Sequence, residues 1–342
     1  MPVVTSHSLP TLGRRLLAMG LLFAAAFASA QPPASAAAGS RPAAERSLGE
    51  WLERMHGAAL RHNYVGTFVV SSSGGAMSSA RIWHACDGQR QVDRLENLTG
   101  APRSTFRRDG EQLTLLPEQR LARVERREVP GRFPDLLKSG EAAIADFYSA
   151  RQAGTDRVAG FDADVVLLSP RDALRYGYRI WSERRTGLVV KLQTLGPEGE
   201  VLEQSAFSEL QLDAPLRVER LAQAMTAPEG WRVERIESVK INAGDEGWTL
   251  KAPVPGFKAV GSQRRRGPGG EGPLQWVFSD GLASVSLFLE PFDRQRHVQE
   301  GLMSSGATQT LTRRVQDSWV TAVGEVPPQT LRAFVQGLER RR

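Results

Sequence analysis

Between residues 64 and 212 the chain returns repeatedly to short runs in which apolar and polar residues alternate, each closed by Gly, Pro, Asp or Asn. A period of two sends successive side chains to opposite faces of a strand. A chain written this way makes an antiparallel sheet with one buried face. The clearest run is residues 174–181, where Leu174, Tyr176, Tyr178 and Ile180 share one face, Arg175, Gly177 and Arg179 share the other, and Trp181 breaks the alternation. Residues 64–73, rich in β-branched and aromatic side chains and ended by Gly74-Gly75, pair naturally with residues 80–85 before Asp87-Gly88. Residues 113–116, 121–125, 188–195 and 201–212 extend the sheet, with a Gly-Pro-Glu-Gly turn at 196–199. The 33 Gly and 20 Pro, without a repeat, suit such a turn-rich β protein and argue against a long helical bundle.

Several segments stand outside the sheet. Residues 1–30 carry Arg14 and Arg15 before an apolar stretch and end in Ala28-Ser29-Ala30, the form of a secretory signal cleaved before Gln31. The apolar stretch is too short for a membrane span, which needs about 20 residues, so export to a soluble compartment is expected. Residues 31–45, mostly Ala, Pro, Ser and Gly, read as a flexible leader. Ser47 and Glu50 have capping-box spacing, and Leu48, Trp51, Leu52, Met55 and Ala59 follow at helical spacing. A Pro-punctuated segment at 133–148 is expected to hold helical stretches. Asp213-Ala214-Pro215 stops the sheet, and residues 214–230 read as a linker between a first domain at 46–213 and a smaller one at 231–342. In the latter, residues 231–241, 274–278, 282–289, 310–315 and 319–323 read as strands, Asp280-Gly281 as a tight turn, and a helix from Pro328 closes the chain with Leu331, Phe334, Val335 and Leu338 on one stripe. The fold class expected is therefore α+β, mainly antiparallel β.

The chemistry of the chain is sparse. Its net charge of +6, from 44 Lys and Arg against 38 Asp and Glu, is a modest surplus that favours acidic partners without pointing to nucleic acid. The single cysteine, Cys86, forms no intrachain disulfide. Nucleophile-elbow, zinc-protease, P-loop and paired C-x-x-C motifs are absent, and His56, His62, His84 and His297 lack metal-ligand spacing, so catalytic residues, metals and cofactors are not expected. Gly267 to Gly272 fits G-x-G-x-x-G by letter, but without the strand and helix that a dinucleotide site requires. With Arg264, Arg265 and Arg266 just upstream, it reads as a basic, Gly-rich loop, either a solvated connection or a candidate site for an anion or lipid headgroup. Phe68, Trp83, Tyr176, Tyr178 and Ile180 are either core or the lining of an apolar cavity.

Longer strings decide more. HACDGQRQVDRLENLTGAPRSTFRRDG (84–110), DRVAGFDADVVLLSPRDALRYGYRIW (156–181), TGLVVKLQTLGPEGEVLEQ (186–204), SDGLASVSLFLEP (279–291) and VGEVPPQTL (323–331) resemble the RseB/MucB family in order and over nearly the whole exported chain. The resemblance implies a lipoprotein-carrier-like (LolA-like) half-barrel followed by a smaller sheet domain with a packed helix. It also implies a periplasmic binding protein, with no enzymatic activity, that negatively regulates the envelope-stress sigma factor. Such a protein binds the periplasmic domain of the membrane anti-sigma factor, shields it from site-one proteolysis, and is released by lipopolysaccharide or lipid. Acyl chains of lipoproteins are a further ligand and a homo-oligomer stays open. A lipid or lipoprotein carrier using the half-barrel cavity is the alternative.

Overall fold

The computed structural model describes residues 46–126 and 144–341. The expected signal, the leader and most of the Pro-punctuated segment fall outside these residues. α1 (Leu48–Arg61) opens the described chain with a complete capping box: the Ser47 hydroxyl accepts from the Glu50 N–H at 3.3 Å, and the Glu50 carboxylate accepts from the Ser47 N–H at 2.6 Å. Two of the N–H groups that a helix leaves unpaired are thereby satisfied. Ser47→Ala should lower stability by about 1 kcal/mol in a urea melt. An unchanged midpoint would show that the cap is idle.

The first sheet contains β1 (Tyr64–Ser72), β2 (Met77–Cys86), β3 (Gln91–Asn97), β4 (Ser104–Arg108), β5 (Glu111–Leu116) and β6 (Leu121–Arg126), then β7 (Tyr148–Val158), β8 (Phe161–Pro170), β9 (Gly177–Glu183), β10 (Val189–Leu195) and β11 (Val201–Leu212). They lie in the order β6-β5-β4-β3-β2-β1-β11-β10-β9-β8-β7, with antiparallel neighbours throughout. The apolar stripe of α1 packs on β7 to β10: Trp51, Leu52 and Met55 are buried with Tyr148, Val166, Leu168, Tyr178, Ile180 and Leu192. This is the expected large antiparallel layer with its helix.

β9 begins at Gly177, three residues later than the alternation suggests. Asp172 is the reason: its carboxylate accepts from the Leu174 N–H at 2.9 Å, an Asx turn that holds the chain out of the ladder. The segment expected as a linker is also not a free tether. It carries α2 (Val218–Gln223), whose Val218 is buried with Ala85 and Val92, and beyond it Met225, Ala227 and Trp231 pack on Phe106, Leu113 and Ala122. The chain thus crosses the sheet as a packed strap.

β12 (Arg232–Lys240) corrects a second expectation, because it does not belong to the smaller sheet alone. Residues 232–236 run parallel to β6, while residues 237–240 pair antiparallel with β14 (Lys258–Gly267). Before β14 lies the short β13 (Trp248–Leu250); after it come β15 (Gly270–Ser279), β16 (Ser284–Pro291), β17 (Gly301–Ser305), β18 (Thr308–Val315), β19 (Ser318–Gly324), α3 (Pro328–Gly337) and β20 (Leu338–Arg340). The second sheet has the order β12-β14-β15-β16-β19-β18-β17, and β13 pairs with β20. Leu331, Phe334 and Val335 of α3 sit over Leu274, Phe278, Val285, Leu287 and Val320, as their spacing predicts. β12 is the strand through which both sheets become one hydrogen-bonded system of 18 strands.

Candidate partner-binding site

The most constrained side chain at the meeting of the sheets is Arg175, which is 2% exposed. Its Nε donates to Asp280 at 2.6 Å, one terminal nitrogen to Asp172 at 2.5 Å, and the other to the Pro255 carbonyl at 2.6 Å. Phe147 and Phe257 place their rings 4.2 and 4.8 Å from the guanidinium carbon. Asp172 and Phe147 come from the first-sheet side, whereas Asp280, Pro255 and Phe257 come from the second. Asp280 is held in turn by the β15–β16 hairpin, where its other oxygen accepts from the N–H groups of Leu282 and Ala283. Tyr148 donates to the same carboxylate at 3.5 Å. Burial pushes the Tyr148 hydroxyl well above the usual tyrosine range, with Tyr178 and Asp280 adding to the shift, so it remains a donor at ordinary pH. Gly256 has φ of +79°, and a Cβ there would lie 2.1 Å from a terminal nitrogen of Arg175; the cradle needs glycine. Thr330 donates to the Leu174 carbonyl at 2.7 Å, and the Gln329 amide to that of Ala173. A simple alternation placed Arg175 on the solvent side; the Asx turn and contacts far along the chain reverse that.

Arg264, Arg265 and Arg266 are not loop residues. They lie in β14 between β12 and β15, and the glycines make the hairpin that follows, with Gly270 at φ +92°. Each arginine faces a carboxylate: Arg264 meets Glu246 at 3.0 Å, Arg265 meets Glu125 at 3.7 Å, and Arg266 meets Glu271 at 2.6 Å. These acids offset the positive charge that an anion would meet there. Glu125 ends a polar row across the first sheet, in which His84, Asp93, Arg107, Gln112 and Glu125 are successive register partners. His84 lies 2.6 Å from Asp93 and is stacked on Tyr64, and Gln112 donates to Glu125 at 3.0 Å.

The five candidate apolar residues are not gathered in one place. Tyr178 and Ile180 are buried under α1, and Phe68 is buried in a neighbouring cluster with Tyr64 and Phe207. Trp83 is opposite Val65, one position out of phase with Phe68 opposite Ala80, so it occupies the other face, under Arg81 and Arg94. Tyr176 precedes β9 and is buried away from the other four. Sequence alternation grouped them because it does not register the strand start at Gly177 or the relative phase of β1 and β2.

Two surface features lie near this junction or beyond it. A cleft of about 680 Å³, walled by Leu167, Pro170, Asp172, Arg175, Arg179 and Pro197, opens beside the buried guanidinium. At the far edge of the second sheet, β17 pairs with β18, carries no charge, and exposes Met303 by 65% and Leu302 by 37%. Among the described residues no helix is long and apolar enough to cross a membrane, and no group of three His, Cys, Asp or Glu could hold a metal.

Comparison with known proteins gives this architecture a family. The model of the MucB/RseB N-terminal domain matches residues 47–225, and that of the MucB/RseB C-terminal domain matches residues 242–339. The chain belongs to the MucB/RseB family. Among MucB/RseB relatives, the Sigma factor AlgU regulatory protein MucB of Pseudomonas aeruginosa is 31% identical over 287 residues, 81% of this chain and 86% of the relative. The Sigma-E factor regulatory protein RseB of Salmonella typhimurium is 28% identical over 330 residues, 95% of this chain and 97% of the relative. The crystal structure of MucB in complex with MucA(peri) superposes with a TM-score of 0.65 at 28% identity, covering 86% of this chain and 98% of that one. The family boundary between residues 225 and 242 falls where Trp231 and β12 carry the MucB/RseB chain from one sheet to the other.

Proposed function

We propose that this protein is a periplasmic negative regulator of an envelope-stress sigma factor, acting by binding the periplasmic domain of the membrane anti-sigma factor. The observation that carries this reading is the likeness, across both sheets, to MucB solved in complex with MucA(peri). The finer mechanism is occlusion: a bound segment cannot adopt the extended form that a protease cleft requires, so site-one cleavage stops and the sigma factor stays sequestered. Lipopolysaccharide or another lipid signal reverses the block by binding a state with lower affinity for the partner. The amino-terminal signal would deliver the chain to the periplasm, with folded domains at 46–213 and 231–342 joined by the strap at 214–230.

The alternative of a lipid carrier is weakened by the polar row. Along this row an acyl chain would meet His84, Asp93, Gln112 and Glu125, buried polar and charged groups that hydrogen-bond one another, in place of an apolar lining. The test is the rate at which the site-one protease cuts the anti-sigma factor's periplasmic domain. Saturating amounts of the exported chain should slow cutting at least tenfold, and added lipopolysaccharide should restore it. Equal rates with and without the protein would refute the reading.

A further inference from the structure

A buried ion cluster contributes little to stability compared with apolar packing of similar volume, because desolvating the charges offsets most of their attraction. What such a cluster does supply is a single allowed geometry. Here the geometry belongs to the relative placement of the two sheets. β12 joins them through one strand whose partner changes between Ile236 and Glu237. A single strand can bend at such a point. Arg175 adds what β12 lacks: three directed hydrogen bonds shared between Asp172 on one side and Asp280 and Pro255 on the other, with an aromatic ring from each side.

We propose that Arg175 is a positioning residue for partner binding: with Asp172 and Asp280 it holds the two sheets in the one orientation in which a partner segment contacts both. The proposal rests on the partner reading above, while the orientation itself is measurable without a partner. The cleft walled by Asp172, Arg175 and Arg179 lies on the first-sheet side of the latch, with two of the latch residues in its wall. Sheets free to reorient would present the competent arrangement only part of the time, and apparent affinity falls by that fraction.

The test uses the full exported chain with Cys86→Ser, spin-labelled at Thr155→Cys on β7 and Val260→Cys on β14, both exposed positions. The parent should give one narrow distance. Arg175→Met, and Arg175→Met/Asp280→Asn in case the single variant folds poorly, should broaden it and weaken binding of the anti-sigma factor's periplasmic domain at least tenfold. Asp172→Asn should give a milder loss of about threefold. A distance as narrow as the parent's, or a broadened distance with unchanged affinity, would overturn the proposal. Failure of the parent to bind would overturn the partner reading and the positioning of a partner with it, while the distances still decide whether Arg175 sets the orientation.

Discussion

Arg175→Met should destabilise the protein by about 3–5 kcal/mol, the usual cost of removing one member of a buried charge cluster. The loss comes less from the missing attraction than from what is left behind. Asp280, with a fully buried side chain, would be left without its cation, whereas Asp172 is about a third exposed and can recruit water. That asymmetry makes a second outcome specific. Adding Asp280→Asn to Arg175→Met should return part of the lost stability, because the amide removes the stranded charge while its oxygen still accepts from the Leu282 and Ala283 N–H groups. Urea melts of the parent, the single variants and the double variant give the coupling directly. A double variant less stable than Arg175→Met would show that charge stranding is not the source of the cost.

The other large effect is expected at Trp51. This side chain has no exposed surface and lies at the centre of the α1 stripe against Tyr148, Val166 and Tyr178. Trp51→Ala removes the largest apolar group joining the helix to β7 to β10, and the site cannot collapse because the sheet beneath is fixed by its ladders. A loss of about 3–5 kcal/mol follows from the transfer and cavity contributions together. Thermal unfolding followed by circular dichroism would measure it. A change below about 1 kcal/mol would mean that α1 adds little to the first sheet.

How far the sequence could be read depended on how local each determinant is. The α1 cap needs only Ser47 and Glu50, three positions apart, and α3 announces itself through Leu331, Phe334 and Val335. The Asp280-Gly281 turn is equally local. β3 and β4 passed unnoticed because Asp93, Arg94, Arg107 and Arg108 give them a polar character on both faces, and what satisfies them is a row of partners on other strands. β12 was recognised as a strand, but its parallel partner β6 precedes it by more than a hundred residues, and no pattern within β12 reveals it. Three consecutive arginines before glycines look like a solvated loop until Glu125 and Glu246 are seen beside them. Arg175 was hidden for the same reason: its acids lie at 172 and 280, and only the fold makes them neighbours. The family, by contrast, was legible from strings spread over the whole chain, because they carry joint information that no single motif has.

Titration calorimetry of residues 31–342 against the anti-sigma factor's periplasmic domain, with and without lipopolysaccharide, tests the central claim most directly. The account predicts one-to-one saturable binding that weakens when the lipid is present. A folded sample that releases no heat of binding at concentrations up to about 100 μM, where even weak complexes near 8 kcal/mol are populated, would contradict it.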